Sequence, residues 1–580
     1  YVNFALDIDI IKDMLSAKLL YGVNKENGKR SAYIPKDVYW GLVRKSRGSL
    51  GYNERQYETM EGTLSFRHKF WNMIDVNAVA GMGRYLDKGT GMTVSYQNAN
   101  DMINDSNLAA ADGPFSPTSY KYENEKRSQF LRASFDVLDR YVLTGTLRRD
   151  GTDKFFPDKK YSLFPSASVA WKMSNESFMQ HLSWLNLLKV RASYGVTGSD
   201  NLGTSLYGII GISREDVKFS NSGVTYVPYA LQSANYSDVT WQKTAMKNIG
   251  LDFSILKDKI WGSLDFFRND VTNLLGTAPT SLLNMYGYRP INGGHYKRTG
   301  VELSLNTLNI QTPNFKWTSS LALSHYNAYW IERMPNFDYK KYQKRENEPM
   351  SAYYYYKTVG VINEDRSNMP DSQRSLPREA QLPGYPIIDD RNGDGKIDID
   401  DIYMDNTLPK VYYGFGNTFT YKNFDLDIYM YGQLGVKKFN STHASNCSAA
   451  NLASGTLASN PTDYAYAIWN SQTNPNGTVP GIASSKSVAL PENAPINTFW
   501  EKASFLRVRN ITLGYNWDTR KLAFLKGNVQ TIRLFVDFQN PFTLTKFEGD
   551  DPEITTAAGN LGHGQYPQLR VYSFGAKISF

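Results

Sequence analysis

The feature that most constrains this chain is a period-two alternation of apolar and polar residues, repeated in segments of about ten residues. Leu131, Ala133, Phe135 and Val137 alternate with Arg132, Ser134 and Asp136. After Leu138, Asp139 and Arg140 the pattern resumes with Tyr141, Leu143, Gly145 and Leu147 against Thr144, Thr146 and Arg148. It returns in Leu188 to Tyr194, Ile249 to Ile255 and Phe424 to Met430. Residues at i, i+2 and i+4 line one face of a strand, so each segment carries one greasy and one wet surface. The chain is therefore read as all-β. The 40 Tyr, 29 Phe and 11 Trp among 580 residues suit strands as well.

Other classes fall away on simple grounds. No stretch approaches the ~20 consecutive apolar residues of a membrane-spanning helix. The single cysteine, Cys447, excludes an internal disulfide framework, a Cys-rich zinc site and a Cys-ligated cluster. The 64 basic residues are interleaved with 56 acidic ones, so the net charge of +8 marks no nucleic-acid-binding face and no nucleic-acid partner is expected. The chain opens at Tyr1 without the charged and apolar regions of a signal peptide.

Two-faced strands fit either a sandwich, with the greasy face inside, or a membrane barrel, with that face toward lipid. The connections favour the barrel. Short links fall near Ile11 to Asp13, Phe70 to Asn72, Leu138 to Arg140, Lys257 to Lys259 and Tyr421 to Asn423. Long polar stretches at 84–127, 197–245, 270–295, 328–410 and 434–503 lie between them. Short turns on one rim and long loops on the other are the layout of an outer-membrane barrel.

The expected fold is thus a transmembrane antiparallel β-barrel over 1–580, with about 17 strands by this count. Single-chain bacterial barrels usually have an even number, which places further strands upstream. Tyr572, Phe574, Ala576, Ile578 and Phe580 form a closing strand with a terminal aromatic. Trp71, Tyr141, Trp261, Tyr421 and Trp517 then fall where an interface girdle belongs.

One stretch carries metal chemistry. Asp390 to Asp401, DRNGDGKIDIDD, follows the twelve-residue calcium loop. Asp390, Asn392 and Asp394 stand at positions 1, 3 and 5, and Gly395 sits at the sharp turn. Lys396 offers a backbone carbonyl at position 7, Asp398 stands at position 9, and Ile397 is the apolar anchor. Asp401 replaces the usual Glu at position 12, and Pro383 and Pro386 argue against a preceding helix. The expected role is a structural Ca2+ pinning an external loop.

No catalytic residues are expected. The six histidines show no HExxH pattern, and there is no GxSxG elbow. Asp550, Asp551 and Glu553 supply carboxylates, with nothing to fix the separation a glycosidase needs. Gly414 and Gly416 sit within strand periodicity and not at a phosphate loop. On the wet faces Arg191, Tyr429, Arg507, Arg509 and Asp537 are candidate lumen residues.

RYVLTGTLRRDGTDKF (Arg140 to Phe155), LFPSASVAWKMSNESFM (Leu163 to Met179) and LKVRASYGVTGSDN (Leu188 to Asn201) resemble the barrel of SusC/RagA-type TonB-dependent outer-membrane transporters. The resemblance continues in order through Asp389 to Asp401, Leu408 to Gly435, Ser504 to Tyr515, Gln539 to Glu553 and Tyr566 to Phe580. It implies a 22-stranded barrel, an N-terminal plug that this sequence does not contain, and location in the outer membrane of a Bacteroidetes-like bacterium. It also implies active import of oligosaccharides or peptides energised by the TonB-ExbB-ExbD complex. A SusD-like surface lipoprotein would act as the lid, with pairing of transporter–lipoprotein units. The rival readings are a passive porin or surface adhesin on the same barrel, and a secreted β-rich carbohydrate-active enzyme.

Overall fold

The computed structural model describes residues 1–38, 46–98, 108, 111, 113–202, 210–212, 219–221, 224–226, 229–231, 237–280, 288–343, 347–446, 466–481, 490–519, 529–549, 551–553 and 568–579. Cys447, His563 and the terminal Phe580 lie outside them.

One large antiparallel sheet dominates. Its strands are β1 (Val2–Ile11), β2 (Leu15–Ile34), β3 (Arg47–Phe70), β4 (Ile74–Gln97), β5 (Ser116–Val137) and β6 (Tyr141–Thr152). They continue as β7 (Tyr161–Lys172), β8 (Leu185–Ser199), β9 (Gln242–Ile255), β10 (Ile260–Pro279), β11 (Tyr288–Gln311) and β12 (Phe315–Glu332). The last are β13 (Val411–Tyr421), β14 (Phe424–Leu434), β15 (Phe505–Asp518), β16 (Thr531–Gln539) and β17 (Val571–Ser579). Each pairs with its neighbours in chain order. Thr543–Thr545 prolongs β16, since both segments pair with β15, so the 18 sheet segments form 17 staves as expected. Among the described residues β1 pairs only with β2, and β17 only with β16.

The register shows why the alternation takes this form. Lys189, Arg191 and Ser193 of β8 face Asp252, Gly250 and Asn248 of β9, while Leu188, Val190 and Ala192 face Phe253, Leu251 and Ile249. Wet residues thus collect on one face of the sheet and apolar ones on the other. The apolar face has no protein cover: Ile249 is 61% exposed, Leu131 55% and Phe135 40%. Val190 is exposed too, and Leu426 is half-buried on the same face. A soluble sandwich would bury this face, whereas lipid covers it in a barrel.

The apolar band has a defined height. Outward residues run Tyr141, Leu143, Gly145, Leu147 and then Arg149 on β6, and Ile255, Phe253, Leu251, Ile249 and then Lys247 on β9. Four apolar positions at alternate residues of a strand tilted about 40° cover about 15 Å of the membrane normal, the greater part of the ~25 Å lipid-facing band of such barrels. Beyond that the strands continue into water, with β3 and β4 each 24 residues long.

This overrun corrects several sequence-derived loop limits. The stretch 84–127 is no loop, because Arg84 pairs with Arg127 and the ladder continues to Ser95 and Ser116. The strands likewise reach Ser199 and Gln242, Pro279 and Tyr288, and Glu332. Above lipid both faces are wet, so the alternation disappears while the hydrogen-bonded ladder persists. Gly89 and Gly91 look like loop residues for another reason: the rings of Tyr122 and Tyr120 lie across them.

The short links fall where expected, and the 312–314 turn joins them. Trp71 and Asn72 have φ of 50° and 55°, and the Met73 amide donates to the Phe70 carbonyl at 2.9 Å, a type I′ hairpin turn. Of the aromatic girdle, Tyr141, Tyr421 and Trp517 face outward and Trp71 sits in its turn. Trp261 departs from the expectation: it pairs with Ser254 and Asn306 and shares the inward parity of Ser263 and Asp265.

Candidate transport lumen and its loop cap

The inward faces of β5 to β11 form a concave wall with a recess of about 580 Å³. Small hydroxyls line it, from Thr144, Thr146, Ser166, Ser168 and Ser193, with the amides of Asn248 and Asn269. Arg132, Arg298, Glu302 and Phe267 add charge and one aromatic surface. Such a wall offers many exchangeable hydrogen bonds and few tight anchors, which suits a hydrated solute passing along it.

Of the wet-face candidates, Arg191 is committed to the wall itself. Its guanidinium donates to Asp252 at 3.1 Å, Asn248 at 3.1 Å and Asp265 at 2.7 Å, crossing three staves. Arg507 is similarly occupied, at 2% exposure. It donates to Asp551 at 2.7 Å, to Thr543 at 2.9 Å and to Glu553, which also accepts from the Tyr431 hydroxyl at 2.6 Å. Asp551 and Glu553 are thus ion-pair partners of a buried arginine. Asp537 accepts from Thr512 on the neighbouring strand, and Arg509 is exposed beside the β14–β15 bulge. Tyr429 is 42% exposed and lies over Gly414 and Gly416, leaving its ring open to the interior.

Sequence reasoning missed two aromatic columns. On the inner wall the Arg298 guanidinium sits 3.9 Å from the Tyr326 ring centroid, and Tyr326 stacks on Tyr412 at 5.6 Å. In the loop cap, Tyr353 stacks on Trp500 at 3.8 Å and on Tyr355 at 5.2 Å, and Tyr355 stacks on Tyr403 at 5.8 Å. The run of tyrosines from 353 to 356 was the available sign.

The cap is a packed unit. Tyr354, Tyr356, Ile362, Leu376, Ile388, Ile397 and Ile402 form a core with Leu490 and Ala494 from the later loop. Burial raises the Tyr385 hydroxyl pKa to about 12. Away from that core, burial beside Arg507 lowers the Lys438 ammonium to about 8, despite Asp551 and Glu553 nearby.

The Asp390–Asp401 segment belongs to this unit. Asp390 accepts the Gly393 and Gly395 amides at 2.8 and 2.9 Å, Asn392 accepts that of Asp394, and Asp394 accepts that of Lys396. Gly395 adopts φ of 81°, as the sharp turn requires, and Ile397 is buried in the core. Asp398 caps the Ile399–Asp401 turn, and the fully buried Asp401 accepts the Arg391 and Asp398 amides at 2.8 Å each. Burial pushes the Asp401 carboxyl pKa up. The backbone has the winding of a cation loop, but its side-chain oxygens are spent on amides. Among the described residues no three His, Cys, Asp or Glu side chains converge closely enough to hold a metal ion.

The TonB dependent receptor-like β-barrel model matches residues 15–540. The chain belongs to that family. TonB-dependent receptor P3 of Formosa agariphila is 26% identical over 100% of this receptor barrel and 58% of the relative's length. TonB-dependent receptor SusC of Bacteroides thetaiotaomicron is 27% identical over 80% of it and 44% of SusC. The solved RagAB peptide transporter superposes with a TM-score of 0.79 at 19% identity, covering all of this chain and 61% of that one. The receptor barrel thus spans about half the length of the curated relatives it matches. Its family places it in the outer membrane, with its apolar face in lipid.

Proposed function

We propose that this barrel is the pore-bearing part of a TonB-dependent importer of oligosaccharides or peptides. The observation that carries the reading is a sheet with one lipid-facing surface and one wide surface lined by hydroxyls, amides and paired charges. A pore of this breadth leaks unless closed, and a captured solute needs an external energy source for release. Coupling to the TonB-ExbB-ExbD complex supplies it. Relatives named for SusC and for RagAB support a SusD-like surface lipoprotein as lid on the long-loop side, with pairs of such units as the assembly. The wall's hydrogen-bonding groups and the Trp500–Tyr353–Tyr355–Tyr403 column suit sugars or peptide backbones. No nucleophile or acid–base pair enters this reading.

The test is growth of the producing bacterium on the polymer processed by neighbouring genes, with and without this gene and with TonB inactivated. Loss of uptake in both mutants supports active import. Uptake that persists without TonB indicates a passive porin.

The Asp390–Asp401 loop is proposed to take Ca2+, through oxygens of Asp390, Asn392, Asp394 and Asp398, the Lys396 carbonyl and Asp401. Its winding and the buried Ile397 anchor support this. Ion binding exchanges the amide contacts of those carboxylates for the cation, pinning the cap.

A further inference from the structure

The outer wall carries a charge arrangement that the transport reading does not use. Arg84 of β4 and Arg127 of β5 are direct cross-strand partners, and Arg149 of β6 pairs with Gln129, two residues along from Arg127. All three point outward, since Gln129 and Leu131 alternate with the inward Ser128, Phe130 and Arg132 along β5. Like charges set opposite one another on adjacent strands are destabilising unless an anion lies between them. Glu125 supplies one, holding Arg84 at 2.6 Å and Arg127 at 2.5 Å. Asp153 accepts the Glu125 amide at 2.8 Å. Arg149 has no carboxylate partner among the described residues; it lies 4.1 Å from the Tyr161 ring centroid and reaches the Gln129 amide oxygen at 3.5 Å. Glu58 and Glu123 also lie near Arg84, with Glu123 paired to Lys88 at 3.5 Å, so the cationic surplus is carried by Arg127 and Arg149, which have no carboxylate partner beyond Glu125 among the described residues.

Its height on the wall identifies the complement. Directly below, Met60 and Met82 are 62% and 65% exposed, and Leu131 continues the apolar band. The arginines and Leu19, Met60 and Met82 line one surface recess of about 460 Å³, basic at the top and apolar at the bottom. The long loops are on the basic side, so the recess sits at the outer edge of the lipid band.

We propose that Arg84, Arg127 and Arg149 form a binding site for the phosphate-bearing headgroup of an outer-leaflet glycolipid, with the upper part of one acyl chain lying over Leu19, Met60 and Met82. Guanidinium forks match phosphate oxygens in pairs, and a basic recess at headgroup height is the arrangement by which membrane proteins hold anionic lipids. A phosphate with the upper part of one acyl chain engages both halves of the recess; a soluble anion engages only the upper one.

The test is native mass spectrometry and equilibrium binding of the detergent-solubilised protein with bis-phosphorylated lipid A, with its dephosphorylated form and with inorganic phosphate. The Arg84→Gln/Arg127→Gln/Arg149→Gln variant is expected to bind the phosphorylated lipid at least ten-fold more weakly, and dephosphorylated lipid is expected to lose a similar factor on the unaltered protein. Glu125→Gln removes the competing carboxylate and is expected to tighten binding several-fold, so the site remains testable if the triple variant does not fold. Equal lipid binding by the unaltered protein and the triple variant would overturn the proposal. So would unchanged or weakened binding by Glu125→Gln, or inorganic phosphate binding as tightly as the lipid.

Discussion

Arg507 shows how a side chain can be legible in place and not in role. The alternation put it on the wet face, but its partners Asp551 and Glu553 lie 44 and 46 residues further on, beyond any local pattern. Removing one member of a buried ion pair strands the other charge, at a cost of about 3–5 kcal/mol. Arg507→Met is therefore expected to release the segment around Asp551–Glu553, read as rapid protease cleavage there while the barrel still runs as a folded band on an unheated gel. Unchanged resistance would assign the anchoring elsewhere. Lys438, which donates to the Glu553 carbonyl at 3.2 Å, adds a pH dependence. Burial lowers its pKa to about 8 from an ordinary 10.5. Between those values the unfolded chain holds a proton that the folded loop has shed, so the loop's stability rises with pH across that window and falls as pH drops through about 8. Protease protection of Lys437–Phe439 should increase from pH 7.5 to 9.5, and Lys438→Met should flatten the profile.

At the scale of elements, hairpins inside the lipid band were the most legible, because lipid on one side and water on the other enforce the alternation. Their turns were found by interruption alone. Leu138 and Asp139 adopt φ of 58° and 53°, and the Arg140 amide donates to the Val137 carbonyl at 3.0 Å. This geometry favours Asn or Gly over a leucine, for which the left-handed region costs about 1–2 kcal/mol. Leu138→Asn, with Asp139 retained for its contacts to Lys172 and Asn175, is expected to raise stability by about 1 kcal/mol in urea titrations of the lipid-inserted protein. The strand ends were not legible, since above lipid the ladder persists with no apolar face to announce it. The Asp390–Asp401 loop was legible for the opposite reason: its spacing is a local chemical pattern. Calorimetric titration with Ca2+ should give heat for the unaltered protein and none at the same concentrations for Asp394→Ala. Equal heats would show that the winding serves the hydrogen-bonded turn alone.

For the whole molecule, the decisive inference is which face meets lipid, and two adjacent residues settle it. Leu143 and Thr144 share one strand, yet Leu143 pairs with Phe135 and Val169 on the uncovered apolar face, while Thr144 pairs with Ser134 and Ser168 and lines the inner recess. A charge near the bilayer centre on the lipid face of a barrel costs about 2–4 kcal/mol, whereas a lumen position keeps its water. Leu143→Arg is expected to lose about 2–4 kcal/mol of folding stability in liposomes, and Thr144→Arg less than about 1 kcal/mol. Reversed costs would mean that the apolar face packs against protein and the hydroxyl-lined face does not hold water, and the import reading would fail with it. The comparison is strict because composition, strand and depth are the same for both substitutions; only the side of the sheet changes.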